Sequence, residues 1–346
     1  MCMDDENPPN PGQLARLARS RGPGDDPGTI APFSPGRWPV PLPGNNRDTV
    51  FKNLMLYRLA PDWIADLATV EAALDALRFV ECGATQTRSA GWVAPRAQGH
   101  AALVEAIAGQ WLMQLQVETK QVPGAVLRRR VDVLAAQVEK TIGRKPGKKE
   151  RRDLKDQAQL DLLPQAFAKQ RSHMVWIDRD AHLLMIDAGS GGHADEVITA
   201  LTQALPGLSA QPIHTARSAS AAMAEWLSSG QPPAHFTVDR DCELKAADGE
   251  RAVVRYARHA LDTDEVRAHV LAGKHPTRLA LTWRSRVSMV LTEQQQVKKL
   301  AFLDGVFEGR PDDKGFDADA AIATGELAPL VADLLLALGG EAAPMT

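Results

Sequence analysis

Cysteine is scarce in this 346-residue chain: Cys2, Cys82 and Cys242 are odd in number, far apart and without CxxC spacing. That excludes a disulfide framework and leaves no zinc signature. Aromatic residues make up only 5%. Trp63, Trp92, Trp111, Trp176, Trp226 and Trp283 lie within apolar strand or helix patterns, which favours core packing over a base-stacking platform. No run approaches the roughly 18 to 20 uncharged apolar residues of a membrane span, and the first thirty residues lack a basic-then-apolar leader layout, so the cytoplasm is the expected compartment. The net charge of −3 gives no global argument for nucleic acid. Also missing are a GxxxxGK[ST] phosphate loop, an HExxH helix and a GxSxG elbow, which lowers the odds of an enzyme without excluding one, because triads assemble in space.

What is present is a 44% apolar content, enough for a sizeable core, in a length that suits about two domains. Residues 1–49 hold ten prolines and six glycines with almost no apolar periodicity beyond Leu14 to Leu17, and read as a disordered extension. The composition breaks at Val50, which is also a candidate initiator. The expected parts are an N-terminal α+β part over 50–122, a basic helical arm over 123–170 and a C-terminal α+β part over 171–346.

Within these parts VFKNLMLYRLA reads as a buried strand, and Trp63 to Leu77 has helical spacing. Gly91 to Ala94 and Trp111 to Glu118 read as strands, the second alternating Leu112, Gln114 and Gln116 against Met113, Leu115 and Val117. MVWID and HLLMID form a hairpin pattern, followed by a helix from Ala194 to Leu205 and a second one around Trp226. ELKAADGERAVVRYARHAL predicts two strands about an Asp248-Gly249 turn. TDEVRAHVLAG predicts a helix capped by Thr263 and ended by Gly273. RLALTW, RVSMVL and VKKLAFL then resemble consecutive strands before a long helix from Asp317 to Leu338. The class is α+β with antiparallel sheets and a protruding helical hairpin.

That hairpin is the positive evidence for binding. Leu127, Val131, Leu134, Val138 and Ile142 recur at helical spacing beside Arg128, Arg129 and Arg130, and a second helix from about Lys148 carries Lys149, Arg151, Arg152 and Lys155. Arg128 to Lys155 contains eleven Lys or Arg against four Asp or Glu, a local net charge of +7. Such a run is either a solvated helical face or a set of phosphate contacts. No helix-turn-helix, zinc-finger or RNA-recognition signature accompanies it, so a nucleic-acid contact would be to backbone.

Three other patterns have a functional and a plainer reading. DAGSGGHADE, Asp187 to Glu196, is either a phosphate cradle or a Gly-rich turn between strand and helix, and lacks the lysine of a nucleotide loop. His173, His182 and His193 lack a carboxylate or thiolate at ligand spacing, which favours ordinary sheet histidines over a metal site. Asp312, Asp313, Asp317 and Asp319 suit either a nuclease cation site or an acidic loop at a helix N-terminus, where carboxylates favour the dipole.

Several strings, in order, resemble the RdgC (recombination-associated protein) family: FKNLMLYRL, GWVAP, LKDQ, LLPQAF, WID, EWL, AGK, LALTW, FDAD and TGEL, over about residues 50 to 341. The resemblance implies a horseshoe-shaped subunit, two of which close into a ring-shaped homodimer around double-stranded DNA. It implies no enzymatic activity and no cofactor or metal, a nucleoid-associated place in the cytoplasm, and restraint of RecA-driven recombination. It carries Phe167 to a tip contact between subunits, Arg258 and His259 to a DNA-facing pair, and Lys274 and Arg144 to further basic positions. His259 departs from the basic and polar pattern, being largely neutral at pH 7, and Pro146 enters the arm linker. Arg128, Arg129, Lys148, Lys149, Arg151 and Arg152 complete the candidate DNA contacts. The alternative from another class is a metal-dependent nuclease using the acidic C-terminal region.

Overall fold

The computed structural model describes residues 50–96, 102–246, 252–308 and 315–342. The expected extension over 1–49, the Asp248-Gly249 turn and Asp312 and Asp313 lie outside the described residues.

A seven-stranded antiparallel sheet has the order β2-β4-β5-β6-β1-β7, with β3 also on β4. Its strands are β1 (Met55–Leu59), β2 (Arg88–Val93), β3 (Glu105–Ile107), β4 (Gln110–Lys120), β5 (Ala168–Asp178), β6 (Leu183–Ile186) and β7 (Ala210–Pro212). These strands come from both sides of the basic hairpin, because β4 leads into it and β5 leads out, paired along ten positions from Trp111↔Ile177 to Lys120↔Ala168. A five-stranded antiparallel sheet, β12-β11-β10-β8-β9, is built from β8 (Phe236–Ala246), β9 (Val253–Tyr256), β10 (Lys274–Trp283), β11 (Val287–Thr292) and β12 (Val297–Phe302). The chain just before β1 joins the two sheets: Leu54 and Val297 exchange backbone hydrogen bonds of 2.8 and 3.0 Å.

Period-two alternation divides the core. Met113, Leu115 and Val117 of β4 face the side covered by α1 (Leu67–Asp75) and α4 (Gly191–Ala204), packing with Val70, Leu74, Val197 and Leu201. Leu112, Trp176 and Met185 face the other way and join Leu279, Leu281 and Trp283 of β10 with α5 (Ala219–Ser229) and α7 (Gly315–Ala337). Five of the six tryptophans flagged by the sequence are buried in this way, and Trp63 is half-buried.

Local sequence sets the element ends. Asp66 caps α1 by accepting the Thr69 N–H at 2.9 Å, so the helix begins there rather than at Trp63. Thr263 caps α6 (Asp264–Leu271) through the Val266 N–H. Gly91 is required by a close approach, since a Cβ there would lie 2.5 Å from Phe79 Cα. Helix α7 is long and apolar enough by length and composition to cross a bilayer. Here Ala320, Ala323, Leu327, Leu330, Val331 and Leu334 bury one side of it in the second core, which is how a core helix reads the same pattern.

Candidate nucleic-acid interface

The basic segment forms two helices, α2 (Gly124–Ile142) and α3 (Lys148–Leu162), each packed mainly against the other. Their seam is the apolar stripe read from the sequence: Leu134, Ala135 and Ala158 are buried, and Leu127, Val131, Val138, Leu154 and Leu162 half-buried. Arg130 ties across to Asp161 at 2.8 Å, and Arg151 approaches Asp132 at 3.8 Å. Gly143 ends α2 in the left-handed region at φ 76°, its N–H donating to the Glu139 carbonyl.

Glu150 locks the turn. Its carboxylate takes both Arg144 terminal nitrogens at 2.8 Å and the Gly147 N–H at 2.7 Å. The Arg144 hydrogen bonds, followed by the Gly147 N–H, pull the Glu150 carboxyl down to about 2. Arg144 is therefore already committed to a protein partner. Arg128, Arg129, Lys148, Lys149 and Arg152 are exposed and make no ion pair or hydrogen bond through their side chains among the described residues. Arg128 and Arg129 border a shallow concavity of about 660 Å³ on the solvent side of α2, with Ala125, Asp132, Val133 and Ala136.

Phe167 is 94% exposed, so it is not a core residue. It stands at the root of the hairpin, where the chain returns to β5; the tip is the Gly143 to Gly147 turn.

A second basic locus gathers around Tyr256. This side chain is buried, donates its hydroxyl to Glu265 at 3.0 Å, and is pushed up to about 12 by burial and then by that carboxylate. The His259 ring lies 5.6 Å from it and the His269 ring 6.5 Å. Lys274 Nζ donates to His269 Nδ1 at 2.7 Å. Arg258 sits in the left-handed region at φ 55°, its backbone N–H held by Asp241 Oδ1 at 2.8 Å and its side chain exposed. The fold thus links Lys274 to Tyr256 through His269 and places Arg258 and His259 just beyond β9, while the hairpin residues form a separate group.

Sequence reading missed a third group, Arg278 of β10 with Lys298 and Lys299 of β12. Arg278 pairs across with Thr292, and Val290 pairs with Lys298, after which the register shifts around Lys299 at φ 52°. Both lysines are pushed below the usual lysine range, first by burial; Arg278 adds to this for both, while Asp241 partly offsets it for Lys299. The signal that could have found them was VKKLAFL itself, because two adjacent lysines in an alternating strand point to opposite faces unless a bulge intervenes.

The other candidates resolve as local structure. The Asp187 carboxylate accepts from the backbone N–H groups of Lys52 and Asn53, both at 2.9 Å, and from Asn53 Nδ2, so it anchors the strand entry. His173 donates Nδ1–H to the Asp187 carbonyl and accepts from Arg171 at Nε2, and its ring lies 5.5 Å from that of His193. His182 occupies the β5–β6 turn at φ 50°. Asp317 pairs with Arg96. Among the described residues no group of three His, Cys, Asp or Glu side chains is arranged to hold a metal ion.

An antiparallel α+β body with exposed cations on a helical hairpin and on one sheet defines a candidate polyanion-binding protein. The family model described as "Putative exonuclease, RdgC" matches residues 49–341, and the chain belongs to the RdgC family. It is 44% identical over 299 residues to the recombination-associated protein RdgC of Dechloromonas aromatica, covering 84% of this chain and 98% of the relative. The protein of that name from Janthinobacterium sp. is 40% identical and that from Cupriavidus pinatubonensis 42%, each over 296 residues with the same coverage.

Proposed function

We propose that the chain is a non-enzymatic, sequence-independent double-stranded DNA-binding protein that acts in recombination. In this reading two subunits close as a ring around the duplex, in the cytoplasm at the nucleoid, and restrain RecA-dependent exchange. The carrying observation is the set of exposed hairpin cations without protein partners among the described residues, Arg128, Arg129, Lys148, Lys149 and Arg152, on a chain whose net charge is −3. Segregated positive charge of this kind attracts phosphates without reading bases, since counterion release drives the binding. The names of the relatives support the recombination context. The exposed Phe167 supports a contact between subunits, because a large apolar side chain left in water is commonly covered by a partner.

Titrating relaxed circular and linear duplexes of one length across a salt series tests this reading. A ring holds the circle after a salt jump that releases the linear form; equal release from both, with a salt slope near zero, refutes it. The second reading, an exonuclease, is favoured by the description of the matching family model. Incubation of linear duplex with the protein and Mg²⁺ decides between them: intact DNA supports binding alone, and shortened ends support the nuclease.

A further inference from the structure

We propose that the hairpin of α2 and α3 is a hinged gate, swinging about the two short linkers that join it to the seven-stranded sheet and so admitting DNA to the proposed clamp; this rests on the ring reading above. The hairpin has a core of its own. Leu134, Ala135, Ala158 and Leu163 are buried, yet none of them belongs to either of the two cores that hold the body together. The helices pack closely with each other, and α3 with the Leu163–Gln165 turn that follows it, and with no strand or helix of the body to a comparable degree. Among the described residues no side-chain hydrogen bond or ion pair joins residues 124–165 to the rest of the chain: Arg130 with Asp161, Arg144 with Glu150 and Arg151 with Asp132 all close within the hairpin.

The connection to the body is correspondingly narrow. The β4–β5 ladder ends at Lys120↔Ala168, leaving Gln121, Val122 and Pro123 on one side and Ala166 and Phe167 on the other. Among the described residues no backbone hydrogen bond crosses between these linkers: the Ala166 N–H turns back to the Leu163 carbonyl, and the Pro123 carbonyl takes the Leu127 N–H. Ladder hydrogen bonds fix one strand against its neighbour, and without them the angle of the hairpin rests on the dihedrals of a few linker residues. Relative motion is the default for two bodies that have separate cores and share no sizeable apolar interface. Helix α2 has 19 residues, and at a rise of about 1.5 Å per residue a rotation of about 20° at its base carries its far end roughly 10 Å. The exposed Arg128, Arg129, Lys148, Lys149 and Arg152 ride on this lever, so their distance from the body changes with it.

Two measurements on the full chain test the gate, in a Cys2→Ser background that keeps the buried Cys82 and Cys242. The first is double electron–electron resonance with labelled chains diluted in unlabelled ones. Nitroxides at Lys145→Cys in the turn and Gln203→Cys on α4 are expected to give a distance distribution roughly twice as wide as that between Ala125→Cys and Lys145→Cys within the hairpin. Equal widths overturn the hinge. The second is a staple, Val122→Cys/Ala166→Cys, the opposed pair two positions beyond Lys120↔Ala168, which spares Phe167 and locks the linkers when oxidised. Oxidation should slow capture of closed circular duplex by about tenfold or more, whereas linear duplex, which threads from its ends, should be bound as by the wild type, and reductant should restore the circle. Gln116→Cys/Ser172→Cys, a pair inside the ladder, should leave both rates unchanged when oxidised. Capture of circles at the wild-type rate by the oxidised linker staple overturns the gate and assigns opening to the contact between subunits. A wild type that holds circles no better than linear duplex overturns the ring reading and the gate with it, while the resonance widths still decide the hinge.

Discussion

Glu150 shows how one side chain sets the geometry of a basic surface. Held by Arg144 and the Gly147 N–H, it keeps the hairpin turn closed and at the same time withdraws Arg144 from the pool of free cations. Its folded value of about 2 lies below its ordinary value of 4.5, so its contribution is complete above pH 4.5 and disappears as pH falls through about 2. A carbon-detected NMR titration of the Glu150 carboxyl should therefore show a midpoint near 2 in wild type, moving up towards the ordinary value in Arg144→Ala. A wild-type midpoint near 4.5 would mean that the Arg144 pairing does not persist in solution. Phe167 makes the complementary case of a residue left exposed among the described residues. Phe167→Ala should leave monomer stability within about 0.5 kcal/mol, as substitutions at exposed positions do. It should weaken self-association by roughly tenfold to a hundredfold if the phenyl group becomes buried between subunits. Sedimentation across a dilution series reads the second quantity, and a denaturant midpoint reads the first.

The hairpin is the element whose sequence says most about its structure and least about its purpose. Leu127, Val131, Leu134 and Val138 recur on one helical face, and Gly143 and Gly147 bracket the turn, so both helices and their antiparallel pairing were legible. The cations were legible as a group, but not which of them the protein itself occupies: Arg130, Arg144 and Arg151 find carboxylates that only the folded hairpin brings near. Replacing the unpartnered Arg128, Arg129, Lys148, Lys149 and Arg152 by Gln should flatten the salt slope of DNA binding by up to about 0.9 per phosphate and weaken unrelated duplexes alike. Arg130→Gln should instead act mainly on hairpin stability, by no more than about 1 kcal/mol for so exposed a pair. The five-stranded sheet was less transparent. Its strands were readable from alternation, yet the bulge at Lys299 depends on register between strands, which period-two patterning does not encode. Likewise, β1 pairs with β6 and β7 far along the chain, a non-local choice made by burial of both sheet faces rather than by any local signal.

For the whole molecule the question is what residues 1–49 add to the proposed DNA binding. Their five arginines are offset by six Asp or Glu, so removing them leaves the net charge nearly unchanged and takes away no net attraction for phosphate. The family match begins at residue 49, and the relatives align over 98% of their own length with only 84% of this chain. Phe51 and Leu54, immediately downstream, are fully buried, and the Asp187 carboxylate clamps Lys52 and Asn53, so the packing requirement starts within a few residues of Val50. A chain beginning at Val50 should accordingly keep its Tm within about 2 °C, a shift smaller than 1 kcal/mol produces in a domain of this size. Its salt slope on duplex DNA should equal that of the full chain, because the slope counts neutralised phosphates and none of the candidate cations is removed. Beginning the chain at Leu56 instead should unfold it, since that deletes Phe51 and Leu54 from the core and the partners of Asp187. A shallower slope in the Val50 chain with an unchanged Tm would place phosphate contacts at Arg16, Arg19 or Arg21 and make the N-terminal segment part of the DNA-binding surface.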